Sequence, residues 1–262
     1  MRIAPAFLAV PLLCGCARAC GLESEYFLED AGGPAAPVVH FPLDEGEGTV
    51  AHDVVSGLEG VVKGAAEWRP DGVIAGALEF DGVTGHVDLR VHELFDFGPD
   101  DFSIALWLRY PSAAMSNENS WTVVQHGNVN EAYYRLSFNH SPANGRRLFF
   151  EIGDGIVARN TPLVCKFYFD DKYDQWFAVA VVRQGAVLTV YLNGTVWSQT
   201  DIGALDASTT HDTALAQSPG NLSPFPGRLD DVRFYDVALT AEEIAALYLE
   251  VEEPWQPPSC NE

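Results

Sequence analysis

Residues Asp53 to Gly60 read DVVSGLEG, a loop that gathers a carboxylate, a hydroxyl and two glycines. A tight turn of this make-up can aim one carboxylate and several backbone carbonyls at a single point, the oxygen-rich setting that a hard cation takes. The same residues also make an ordinary Asx turn, in which Asp53 accepts from its own backbone. A carboxylate pair follows: in Leu78-Glu79-Phe80-Asp81-Gly82, Glu79 and Asp81 share one face of a strand while Leu78 and Phe80 share the other. Paired carboxylates are the machinery of glycoside hydrolysis, and the alternation equally describes a half-buried strand closing in an Asp-Gly turn. Trp121, Tyr133, Tyr134 and Trp197 could stack on a sugar ring, or fill a core. Other templates are missing: there is no G-x-S-x-G elbow, H-E-x-x-H helix, paired C-x-x-C or phosphate-cradling glycine loop. The histidines are scattered, and His40 and His52, near the Asp53 loop, offer nitrogen where a hard cation prefers oxygen.

Strands must carry these groups. Val38 opens a first strand that leads through Leu43-Asp44 into the Glu45-Gly46-Glu47-Gly48 turn. Phe102 to Tyr110, FSIALWLRY, alternates about Ile104, Leu106 and Leu108 with Trp107 on the other face, which places it at the centre of a sheet. Thr122 to Val124, Tyr133 to Phe138 and Leu148 to Ile152 read as short strands, in a region suited to ligand-facing loops. Trp176 to Arg183 and Val187 to Leu192 form a hairpin about Gln184-Gly185, and the second strand ends at Asn193-Gly194. Leu229 to Tyr235 mixes β-branched and aromatic residues with Asp230, Asp231 and Arg233, as a strand with one wet edge would. A short helix follows: Thr240 and Glu243 make a capping box, and Ile244, Leu247 and Tyr248 make one apolar stripe.

The closing segment GRLDDVRFYDVALTAEEI resembles the last strand and closing turn of laminin-G-like domains of the concanavalin A-like jelly roll. HFPLDEGEGTVAHDVVSGLEGVV from His40, GALEFDGVTGHVDL from Gly76, FSIALWLRY from Phe102 and WFAVAVVRQGAVLTVYLNGTV from Trp176 agree with it in order, so the resemblance runs over residues 38 to 249. It implies an all-β fold, a two-sheet antiparallel β-sandwich with a short C-terminal helix, in which the opening strand pairs near the last. In many such proteins the Asp-x-x-Ser-Gly loop holds a structural calcium ion with an aspartate of the last strand; by position the ligands here are Asp53, the Gly57 carbonyl and Asp230. The fold also carries glucanases whose strand presents E-x-D-x-x-E. Here Glu79 and Asp81 match, but the third position is Thr84, so this strand cannot fill the acid and base roles. The resemblance therefore implies a non-catalytic binding module for a polysaccharide, a glycan or a cell-surface protein. A glycoside hydrolase would need two carboxylates converging elsewhere, about 5 to 9 Å apart. A structural envelope protein would show neither a carboxylate pair nor exposed aromatics.

Composition and termini set the remaining bounds. Hydrophobic residues at 47% with 23 Gly and 16 Pro supply both core and turns, the profile of a sandwich. A formal charge of -22 repels phosphate backbones and anionic headgroups, so nucleic acid is excluded as a partner and the membrane is reached by a lipid anchor only. The leader MRIAPAFLAVPLLCGCARAC has an early Arg2 and an apolar run too short to span a bilayer, which marks residues 1–20 as an export signal. Leu13-Cys14-Gly15-Cys16 resembles a bacterial lipobox with Cys16 lipidated, which implies an outer-membrane lipoprotein of the cell envelope; cleavage after Ala19, leaving Cys20 at the new terminus, is the competing reading. Residues 21–37 read as a linker, 38–250 as the domain and 251–262 as an extended acidic, proline-bearing tail. Because jelly rolls bring their termini together, the resemblance implies a Cys20–Cys260 disulfide, and Cys165 reads as a buried thiol.

Overall fold

Alternation of apolar and polar side chains along short segments demands sheets with two unlike faces. The computed structural model describes residues 35–112, 120–141, 145–162, 168–219 and 223–249. Every described residue belongs to the unit Pro34–Glu262. Cys16, Cys20, Cys165 and Cys260 all lie outside the described residues.

The strands are Val39–Phe41 (β1), Val50–His52 (β2), Glu59–Lys63 (β3), Ala66–Arg69 (β4), Ala77–Asp81 (β5), His86–Arg90 (β6), Phe102–Arg109 (β7) and Trp121–Gly127 (β8). They continue as Ala132–Ser141 (β9), Gly145–Asp154 (β10), Ala158–Asn160 (β11), Phe177–Gln184 (β12), Val187–Leu192 (β13), Thr195–Asp201 (β14), Thr213–Leu215 (β15) and Pro226–Tyr235 (β16), before the helix Ala241–Leu249 (α1). One sheet runs β14-β13-β12-β7-β16-β5-β4, with β1 also on β16; the other runs β11-β10-β9-β8-β15-β6-β3-β2. The fold is thus the antiparallel sandwich that the sequence implies.

The inner faces meet in one core. Phe102, Ile104, Leu106 and Leu108 of β7 face Tyr134, Leu136 and Phe138 of β9 and Phe150 of β10, with Phe102 and Tyr134 stacked at 5.5 Å. The outer face of β7 is buried as well, because α1 lies across it: Ala105, Ala180, Val182, Tyr191, Tyr235, Leu239 and Ile244 form a second apolar cluster, and Trp107 stacks on Tyr248 at 5.8 Å. The capping box forms, with Thr240 N–H donating to Glu243 (2.8 Å) and Glu243 N–H donating to Thr240 Oγ1 (3.2 Å). The same Glu243 carboxylate accepts the Ala35 N–H at 3.0 Å, tying the helix to the start of the described chain.

Two segments differ from expectation. β16 has no wet edge: it lies between β7 and β5, and Asp230 and Asp231 are both buried where its register shifts. Asp231 takes a positive φ of 53°, a bulge geometry that re-aims the two side chains. The second difference is that β8, β9 and β10 are long strands where the sequence suggested short ones among loops.

Candidate binding groove on the second sheet

Asp53 is buried in its own loop. Its Oδ1 accepts from His40 N (2.7 Å) and Val55 N (3.0 Å), and its Oδ2 from Ser56 N (2.9 Å) and the Ser56 hydroxyl. Burial pushes this carboxyl up, but those donors outweigh it and hold it below the usual carboxylate range. Four donors fill the four lone-pair positions of a carboxylate, so Asp53 has none left for a cation. Gly57 supplies the loop's positive φ of 81°. Asp230 is fully buried beside a different loop: its Oδ2 accepts from Val73 N (2.6 Å) and Ile74 N (2.9 Å), while its Oδ1 has no hydrogen-bond partner. Asp44 braces the same loop by accepting Gly76 N at 2.6 Å. The donor set Asp53, Gly57 and Asp230 therefore does not fit calcium. Among the described residues no cluster of three or more His, Cys, Asp or Glu side chains could hold a metal ion.

The strand carboxylates are engaged as well. Glu79 accepts from Arg69 (2.5 Å) and Arg228 (3.0 Å), and Asp81 closes the β5–β6 turn by accepting from Val83, Thr84 and Gly85 N–H groups at 2.8–3.0 Å. Trp121, Tyr133, Tyr134 and Trp197 are all buried, so none stands out as a stacking platform.

What sequence reading missed lies on the outward face of the second sheet. Register puts Asp88, Ala214, Gln125, Arg135, Glu151 and Asn160 side by side across β6, β15, β8, β9, β10 and β11. Two adjoining basins open over this row. The larger, about 310 Å³, is lined by Gln125, Arg135, Asn128 and Asn130 of the β8–β9 turn, and Ser218. The smaller, about 220 Å³, is lined by Lys63, His86, Asp88 and Gln217. Asp212 and Pro219 border both, so the basins form one polar groove.

Each wall is fixed. His211 Nε2 and Glu131 Oε2, 2.6 Å apart, join the loops at one end. Arg135 donates to Glu151 (2.7 Å) and lies 5.9 Å from the centres of the Tyr133 and Phe149 rings. Tyr133 lies across Gly153, where any Cβ would come within 2.8 Å of its ring, and burial together with Glu151 pushes its phenol well above the ordinary range. Thr122 Oγ1 and Ser218 Oγ (3.1 Å), with Ser137 behind (3.4 Å), make a chain of hydroxyls beneath. At the floor, the Gln125 amide donates to Gly127 O at 2.9 Å while its Oε1 has no partner. A buried glutamine and alternating polar residues within long aromatic strands were the available signals.

A model of the concanavalin A-like lectin/glucanases superfamily matches residues 81–245, well over half of the chain. The chain belongs to this superfamily. Among solved structures, this laminin-G-like chain is similar to the binding domain of Paraclostridial Mosquitocidal Protein 1 (16% identity, TM-score 0.65), covering 81% of this chain and 51% of that one. The Botulinum Neurotoxin serotype G binding domain matches at 16% identity and TM-score 0.62, covering 82% and 51%. Domain 4 of AbnA, a GH43 extracellular arabinanase from Geobacillus stearothermophilus solved in complex with arabinotriose, matches at 18% identity and TM-score 0.61, covering 82% of this chain and 100% of that domain. The chain thus spans about half the length of the toxin domains it matches. Identities this low carry the fold alone. No curated protein matches the chain.

Proposed function

We propose that this chain is a non-catalytic binding module that holds an extended glycan in the groove on its second sheet. The observation that carries the reading is the groove itself: polar side chains in register across adjacent strands, under two joined basins, with both walls tied. A groove with a row of polar side chains and apolar surface between them suits the hydroxyls and C–H faces of a polysaccharide better than a protein surface, whose hot spots are apolar anchors. The toxin binding domain among its structural neighbours, and the arabinanase domain solved in complex with arabinotriose, support this direction. Glu79 and Asp81, the strand carboxylates that could have supported hydrolysis, are held by Arg69 and Arg228 and by backbone N–H groups on the other sheet. Export and lipidation at Cys16 would tether the module to a bacterial envelope.

The test is binding of the domain to a panel of polysaccharides in calcium and in chelator. Retention of a glycan in both buffers supports a groove that works without metal. Absence of binding to every glycan by a folded domain refutes the reading.

A further inference from the structure

We propose that the groove selects an uncharged, hydroxyl-rich glycan and that Gln125 is the residue that reads it; the inference rests on the binding-module reading above. Gln125 is 2% exposed, yet it lines the larger basin. Its amide N–H₂ is committed to Gly127 O at 2.9 Å, and Gly127 is itself held by donating to Asp212 O at 3.1 Å. That contact fixes the orientation of the amide, because a flipped amide would set its oxygen against the Gly127 carbonyl, and it leaves Oε1 buried just beneath the basin. The end left over, Oε1, accepts no hydrogen bond. Its strand neighbour toward the smaller basin is Ala214, whose single methyl leaves the space beside the amide open.

An acceptor buried beside a polar basin without a protein donor is costly, and an O–H or N–H group that reaches it, from a ligand or from the water a ligand displaces, relieves that cost. Beside Gln125 the basin is lined by Ser218, backed by Thr122, and hydroxyls of this kind both give and accept. A sugar hydroxyl matches both kinds of partner. An ionised carboxylate or sulfate has no proton to give to Oε1.

The charges agree. The lysine and the arginine that line the basins are each held by a carboxylate, Lys63 by Asp88 at 2.5 Å and Arg135 by Glu151 at 2.6 Å. Asp212 adds a further carboxylate where the basins meet. An anionic polymer would have to displace an ion pair while approaching a chain of net charge -22. A site that must hydrogen-bond a hydroxyl rejects a ligand lacking one far more strongly than an apolar pocket rejects a misfit.

The experiment titrates the domain with neutral polymers (arabinan, galactan, xylan) and with anionic ones (polygalacturonate, a sulfated galactan). Gln125→Leu and Gln125→Met are titrated beside the wild type, with thermal melts on all three. The expected result is binding to a neutral polymer, anionic polymers at least tenfold weaker, and a loss of tenfold or more in both variants at an unchanged or raised melting temperature. Two results overturn the inference while leaving the module standing: tighter binding of the anionic polymers, or wild-type affinity in either folded variant. Failure of the wild type to bind any polymer removes the module reading and this inference with it. Gln125→Met covers the case in which Gln125→Leu does not fold.

Discussion

His126 should make the second sheet sensitive to acid. Its ring is buried against Tyr134 at 5.2 Å, its Nδ1 meets Thr213 Oγ1 at 2.8 Å, and its Nε2 lacks a hydrogen-bond partner. Burial, with His211 nearby, pushes its pKa down to about 4 from 6.5. A histidine whose folded pKa is depressed stabilises the fold above the unfolded value and loses that contribution as pH falls toward the folded one. The window is therefore pH 6.5 to 4. At about 1.4 kcal/mol per pH unit, protonation should withdraw about 2 kcal/mol by pH 5. Asp230 acts in the opposite sense over part of this range, so the comparison must be between variants rather than along one curve. His126→Asn keeps an acceptor for Thr213 and has no titrating ring. Urea melts of both proteins at pH 7 and pH 5 should show the wild type losing about 2 kcal/mol relative to the variant. A difference between the two proteins that does not change with pH would refute the reasoning, because it would mean that His126 is protonated without cost.

Asp230 supplies the complementary prediction. Burial first, and then the charges of Asp231 and Asp44, push its carboxyl up to about 7, although Ile74 and Val73 N–H groups work against them. A raised carboxyl favours the fold at low pH and weakens it as pH climbs from the ordinary value of 3.8 toward 7. In chelator, Asp230→Asn should gain about 2 to 3 kcal/mol on the wild type between pH 5 and pH 7, measured by urea melts. A gap between the two proteins that stays constant from pH 5 to pH 7 would contradict the raised Asp230 carboxyl. Gly72→Ala should cost about 3 kcal/mol or more, because its Cβ would lie 1.8 Å from Gly76 O and 2.7 Å from Asp230 Oδ2; a melt within 1 °C of wild type would contradict the packing. Cys16→Ser should abolish incorporation of labelled palmitate and release the protein from membranes, and unchanged labelling would remove Cys16 as the lipidation site.

Local chemistry was the part of this fold open to sequence reading. The capping box of Thr240 and Glu243, the two-faced strand around Trp107 and the Asn193-Gly194 turn each follow from residues close together in the chain. The pairing of β1 with β16 followed from family resemblance, through Val39 opposite Phe234. Asp53 and Asp230 show where such reading stops. Both were recognisable as loop and strand aspartates, but Asp53 spends a lone pair on His40 N, thirteen residues away, and Asp230 on Val73 and Ile74, more than one hundred and fifty away. Periodicity shows that Gln125 and Arg135 share a face with their neighbours. It does not show that β15 brings Ala214 beside Gln125 and leaves the amide in a groove. The four aromatics were legible as large apolar groups; the closing of the two sheets buries Trp121, Tyr134 and Trp197, while Tyr133 is buried on the outward face across Gly153 and beside Arg135.

If a glycan sits in the groove on the second sheet, blocking that groove must abolish binding while the other sheet tolerates the same change. Asp212→Arg plants a long side chain where the two basins meet, and Val196→Arg places the same side chain at an exposed position on β14 of the other sheet. Calorimetric titration of both variants against the neutral polysaccharide that the wild type binds best would decide it. Asp212→Arg should lose at least tenfold in affinity and Val196→Arg should bind as the wild type does; equal affinity in the two variants, or loss only in Val196→Arg, would place the glycan elsewhere.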